Sequence, residues 1–107
     1  MEISNLYERR MADVVDRLTQ AGYDDVFRGE AGGIRGGNSG LLHKPQDLEV
    51  RVIERFEGVS DPEDETIVLA LVCKVHGCRG TYVAPYGNDM PSTDAALIRK
   101  IPDGRGI

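Results

Sequence analysis

IVLALVCKV, residues Ile67–Val75, is the stretch whose reading decides the fold. Successive side chains of a strand point to opposite faces, so a run apolar at odd and even positions alike needs cover on both sides. Ile67, Leu69, Leu71 and Cys73 share one face, and Val68, Ala70 and Val72 share the other. The run is much shorter than the roughly 20 apolar residues of a membrane span. We therefore read Thr66–Val75 as the central strand of a covered sheet. His76-Gly77 begins a reversal, and Thr81–Tyr86 pairs back antiparallel. Pro85 puts that strand near an edge, because proline has no N–H to give to a ladder.

Working outward from this hairpin, Leu48, Val50 and Val52 alternate with Glu49 and Arg51, the pattern of a half-wet strand. The alternation slips at Ile53 and resumes at Phe56, which predicts a bulge near Val52–Ile53. Asp61-Pro62-Glu63-Asp64 between the two strands has turn chemistry. Upstream, Ile3, Leu6, Tyr7, Met11, Val14, Val15, Leu18 and Ala21 recur at helical spacing. They predict a helix from about Asn5 to Ala21, capped by Ser4 or Asn5 and closed by Gly22. Tyr23–Phe27 reads as the start of a strand. Glu30–Gly40 has five glycines in eleven residues, so a mobile loop or two frayed edge strands are expected. Downstream, Pro91-Ser92 opens a second helix over Thr93–Ile101, which Pro102 stops. The predicted architecture is α+β: an antiparallel sheet of three to five strands, packed against a long N-terminal helix and a short C-terminal one. Residues 1–102 form one domain and 103–107 a flexible tail.

Composition narrows the function. The chain has 107 residues, 13 Lys and Arg against 18 Asp and Glu, and a net charge of −5. No basic cluster offers a face to a nucleic-acid backbone, so nucleic acid is not an expected partner. No long apolar run or signal-peptide core is present, so neither is a membrane, and the cytoplasm is the expected location. Both cysteines lie in one hairpin, which does not suit a disulfide framework and fits a reducing compartment.

Three groups of residues could carry chemistry. Cys73, His76 and Cys78 place three soft ligands within six residues, and His43 is the only other histidine. A zinc site of these four is chemically sensible, and the competing reading is a buried cysteine beside a turn histidine. Second, the glycine-rich segment with Arg35 offers backbone amides and a guanidinium to an anion. Arg55, Tyr82 and Tyr86 near the sheet end extend that idea to a phosphate or nucleotide. The segment lacks the endings of a P-loop or a dinucleotide fingerprint, and a surface loop competes with this reading. Third, Asp61, Glu63, Asp64 and Glu65 form an acidic knot out of register with a calcium loop, which reads as a solvated turn. No catalytic set converges, and no catalytic residue is nominated.

From about Leu42 to Ile101 the pattern resembles a family of small uncharacterised bacterial proteins often labelled phosphoribosylpyrophosphate synthetase. The matching residues are RFEG (Arg55–Gly58), SDPEDE (Ser60–Glu65), the apolar strand, Gly80 with the strand after it, Tyr86-Gly87 and a Ser-initiated helix. Gly22-Tyr23 after the first helix also fits. A synthetase of that name is far larger, with nucleotide and ribose-phosphate loops that this pattern does not contain, so the resemblance carries over no catalytic residues. It implies a cysteine pair before Leu41, where this chain has glycines.

The expected function is a small non-enzymatic cytoplasmic module that binds a protein partner or itself. A homodimer is one way to cover the second face of the apolar strand. The alternatives are a small-anion domain using Arg35, Arg55, Tyr82 and Tyr86, or a zinc-supported module or enzyme using Cys73, His76, Cys78 and His43; otherwise no cofactor is implied.

Overall fold

Residues 3–57, 65–86 and 92–104 are described by the computed structural model. Helix α1 takes Ile3–Gln20, and the amide of Tyr23 reaches back to the Leu18 carbonyl at 2.9 Å. That closure needs a left-handed residue, supplied by Gly22 at φ 110°. Strands β1 (Asp25–Glu30), β2 (Gly33–Gly36) and β3 (Leu42–His43) follow. A single 3-10 turn at Pro45–Asp47 leads into β4 (Leu48–Glu57). Strands β5 (Glu65–Cys73) and β6 (Arg79–Tyr86) complete the sheet, and α2 covers Ser92–Arg99.

The expected sheet of three to five antiparallel strands is corrected on both counts. Among the described residues six strands lie in the order β3-β2-β1-β6-β5-β4, and β1 pairs with β6 in parallel through Asp25–Gly80, Val26–Thr81 and Phe27–Tyr82. Local alternation reveals that a strand exists but not which distant strand lies beside it, so the parallel seam left no local signature. Strands β2 and β3, of four and two residues, are too short and glycine-rich to show a period. The apolar strand β5 is second from an edge, and β6 is interior. Pro85 is tolerated because β1 pairs only with the Gly80–Tyr82 part of β6.

The N-terminal helix is also a lighter cover than expected. The 11 residues whose side chains are described, 10–20, include none that is fully buried. Met11, Val14, Val15 and Leu18 are half-buried, and the helix lies against β4, β5 and β6.

The two-sided burial of β5 is present within the one chain. Ile67, Leu69, Leu71 and Cys73 join a core with Phe27, Ile34, Leu48, Val50, Tyr82, Leu97 and Ile101. On the opposite face Val68 and Ala70 are each 0% exposed. No second copy is required to cover either face.

The slip in β4 has a structural cause one residue before its expected place. Val50 pairs with Leu71, but Val52 pairs with Ala70, so Arg51 is the extra residue of a bulge. The bulge reverses parity: Leu48 and Val50 face the core before it, and Ile53 packs against the same core after it. Val50 also carries the chain end. Its amide donates to Pro102 O, its carbonyl accepts from Gly104 N, and Asp103 forms a parallel bridge with it. The expected tail therefore begins with a docked segment.

Strands β3 and β4 lie at opposite edges, yet only residues 44–47 join them. Six strands laid flat would put the edges about 24 Å apart, whereas five residue steps reach at most about 18 Å. The sheet must roll, and its concave side holds Ile34, His43, Leu48 and Cys73, all 0–2% exposed. The expected turn at Asp61–Asp64, and residues 105–107 of the tail, lie outside the described residues, and so do the side chains of Ser4, Asn5 and Tyr86.

Candidate metal centre

Rolling the sheet carries edge strand β3 toward the β5–β6 turn. His43 on β3 then meets Cys73, the last residue of β5, and His76 in the turn. Their ligand atoms all lie within 4.8 Å of one another. His43 and Cys73 are buried and His76 is exposed. The three rings Phe27, His43 and His76 stack in sequence, edge to face, with 5.5 Å between successive centroids.

The turn is shaped to present sulfur. The Gly77 amide donates to Cys73 O at 2.8 Å, and the Cys73 amide donates to Cys78 O at 2.7 Å. The His76 amide donates to Cys73 Sγ at 3.4 Å, and His76 Nδ1 stands 3.6 Å from the same sulfur. Zinc–sulfur and zinc–nitrogen bonds of about 2.3 and 2.05 Å at the tetrahedral angle place S and N about 3.6 Å apart. Cys73 and His76 already stand at that separation.

His43 is the most informative residue of the cluster. It is 2% exposed, and neither Nδ1 nor Nε2 has a hydrogen-bond partner among the described residues. A buried polar group left unpaired costs about 1–3 kcal/mol. Burial holds its pKa below the usual histidine value; His76 adds to this, and Asp25 and Asp47 oppose it without reversing it. Burial thus favours the neutral ring, which keeps one nitrogen lone pair.

Cys78 does not join the group of three. It is half-buried against the core and lines a surface cleft with Asp24, Asp25, Asn38, Ser39 and Arg79.

Of the proposed anion residues, Arg35, Arg55 and Tyr82 are not gathered. Arg35 on β2 donates from Nε to Glu30 at 2.8 Å and from a terminal nitrogen to Gly40 O at 3.0 Å, so its guanidinium ties the glycine segment together. Arg55 is exposed on β4, at the opposite edge of the sheet. Tyr82 is 1% exposed and donates to Asp94 on α2. Its burial first, and then Asp94, push the phenol's pKa well above the usual value. It lines a cleft of about 500 Å³ with Phe27, Gly29, Val83 and Asp94 where β1 and β6 part.

Sequence reasoning missed Asp25, the organiser of the glycine segment. Its Oδ1 accepts from the amides of Val26 at 2.8 Å and Asn38 at 2.7 Å, and its Oδ2 accepts from Ser39 Oγ at 2.9 Å. Burial alone would raise its pKa, but these donors outweigh burial and hold it below the usual value. An acid followed by a glycine turn carrying Asn38-Ser39 was the available signal.

Among the described residues, no helix is long and apolar enough to cross a membrane. Comparison with protein-family models, with curated proteins and with solved structures finds no match.

Proposed function

We propose that this domain binds one transition-metal ion through His43, Cys73 and His76, with zinc as the first choice. The observation that carries the reading is the buried His43 ring, unpaired at both nitrogens and facing a thiol and a second imidazole. A metal ion would engage one of those nitrogens and convert a stability cost into a ligand bond. Two imidazoles and a thiolate suit zinc or copper better than the hard cations, which prefer oxygen. The His76 amide directed at Cys73 Sγ orients the sulfur, as outer hydrogen bonds do at metal sites. Three protein ligands with His76 at the surface leave a fourth position for water or an exogenous group. The reading is binding rather than turnover. One chain covers β5 by itself, so this reading calls for no second copy.

The test is titration of chelator-stripped protein with Co²⁺ and then Zn²⁺. One Co²⁺ per chain should give a thiolate-to-metal charge-transfer band that Zn²⁺ abolishes by displacement. Cys73→Ser should remove the band, and His43→Ala should weaken binding by about 100-fold or more. Zinc at 100 times its dissociation constant should stabilise the fold by about 2.7 kcal/mol. Absence of both the band and any stoichiometric zinc would defeat the reading.

A further inference from the structure

Cys78 is left out of the metal cluster, yet the ladder sets it opposite a ligand. Leu71 pairs with Gly80 and Val72 with Arg79, where the paired register ends, and Cys73 and Cys78 are the residues that follow on the two sides. Cys73 N donates to Cys78 O at 2.7 Å while Cys73 O accepts from Gly77 N at 2.8 Å, so Gly77, at φ 76°, and Cys78 together oppose Cys73 as a bulge. Residues facing each other across an antiparallel pair have Cα atoms about 4.5–5.5 Å apart and a disulfide spans about 4.4–6.8 Å, so the hydrogen-bonded neighbours Cys73 and Cys78 are close enough to be bridged. They also project from the same face, and both cysteines belong to the same side: Cys73 is in the core and Cys78 packs against it. Both thiols are free in this structure. Their accessibility differs: Cys73 is 1% exposed, whereas Cys78 is half-buried in a cleft open to solvent.

We propose that Cys73 and Cys78 form a reversible disulfide that switches the metal site off. This rests on the metal reading above for its consequence, but not for its chemistry. A hydroperoxide enters the cleft and oxidises Cys78: the sulfur takes one oxygen, and the peroxide leaves as an alcohol or water. Cys73 sulfur then attacks the Cys78 sulfenic acid; the S–S bond forms and water departs with the Cys73 proton. Two electrons pass from the sulfur pair to the peroxide. A dithiol reductant reverses the step by exchange. A sulfur held in that bond is no longer a thiolate ligand, so oxidation removes one of three protein ligands. Bound metal in turn occupies Cys73 and delays the second step.

The experiment treats zinc-free and zinc-loaded protein with hydrogen peroxide, blocks remaining thiols with an alkylating agent, and reads intact mass and peptides. Zinc-free protein should lose two hydrogens, take up no alkyl group and yield a Cys73–Cys78 linked peptide that dithiothreitol abolishes. Zinc-loaded protein should form the link about tenfold or more slowly and release its zinc in step with it. Cys78→Ser should bind zinc as wild type does and form no intramolecular link. If zinc-free wild type gives only sulfinic acid or chains joined to one another, the disulfide proposal is overturned, whatever zinc does. If the link forms at one rate with and without zinc in protein that demonstrably holds the metal, the switch is overturned. If no zinc binds but the link forms, the metal reading fails and the thiol pair stands.

Discussion

In the β4-β5-β6 meander the strands run ten, nine and eight residues, and five consecutive residues of β5, Ile67–Leu71, are 4% exposed or less. In the β1-β2-β3 meander they run six, four and two, and a carboxylate at Asp25 and an ion pair at Arg35 organise the turns. The first region is held chiefly by non-directional burial, whereas the second adds directed hydrogen bonds to the burial of Phe27 and Ile34. The difference teaches why a glycine-rich segment with little to bury can still be ordered: its backbone is tied to fixed acceptors. The candidate metal centre spans the two, with His43 from the polar region and Cys73 and His76 from the apolar one.

The contrast can be broken most forcefully on the apolar side. Leu69→Ala, at a position 1% exposed, should cost about 3–5 kcal/mol in chemical denaturation, because the cavity adds to lost burial. On the polar side, Asp25→Ala should cost about 2–3 kcal/mol, since it strips charge-assisted bonds from Val26, Asn38 and Ser39. Asp25 also gives the polar region a pH signature. Its folded pKa lies below the unfolded value of 3.8, so its contribution is full above that value and is lost as pH falls through the folded one. An acid titration of stability should show this loss in wild type and a shallower slope in Asp25→Asn. At the junction, His43→Leu should raise the stability of the metal-free protein by about 1 kcal/mol while abolishing metal binding, because it removes two unpaired buried nitrogens. A loss of metal-free stability on that substitution would mean the ring is there for packing. The smallest effect belongs to Arg35→Ala. Its pair with Glu30 is more than a third exposed on both sides, so thermal denaturation should register less than about 1 kcal/mol.

What could be read from the sequence follows from the range of each signal. Two-sided burial of Ile67–Leu71 is a local pattern, and it is present. The β4 bulge was readable because one extra residue breaks parity, and Ile53 displayed that break. The parallel seam was not readable, since Asp25–Phe27 and Gly80–Tyr82 carry nothing that names each other. Glycines hid β2, whose single large apolar side chain, Ile34, is fully buried and whose Arg35 reaches Glu30 and Gly40, while Asp25 holds the turn that follows. For the site, Cys73 and His76 were visible as a pair three residues apart. That His43 lies beside them follows from the rolling of the sheet, and no spacing along the chain encodes it. The separation of Cys78 from the cluster is likewise a property of the turn's geometry.

The parallel seam also orders events in time. Asp25 and Gly80 are separated by roughly fifty residues of chain, and closing such a loop costs entropy before any contact rewards it. The β4-β5-β6 meander needs only adjacent hairpins and should condense first, with β1 docking onto it afterwards. Amide exchange should therefore protect β5 longest and release β1–β3 through partial openings. On that order the His43 ring should join Cys73 and His76 last, so metal capture would report completion of folding.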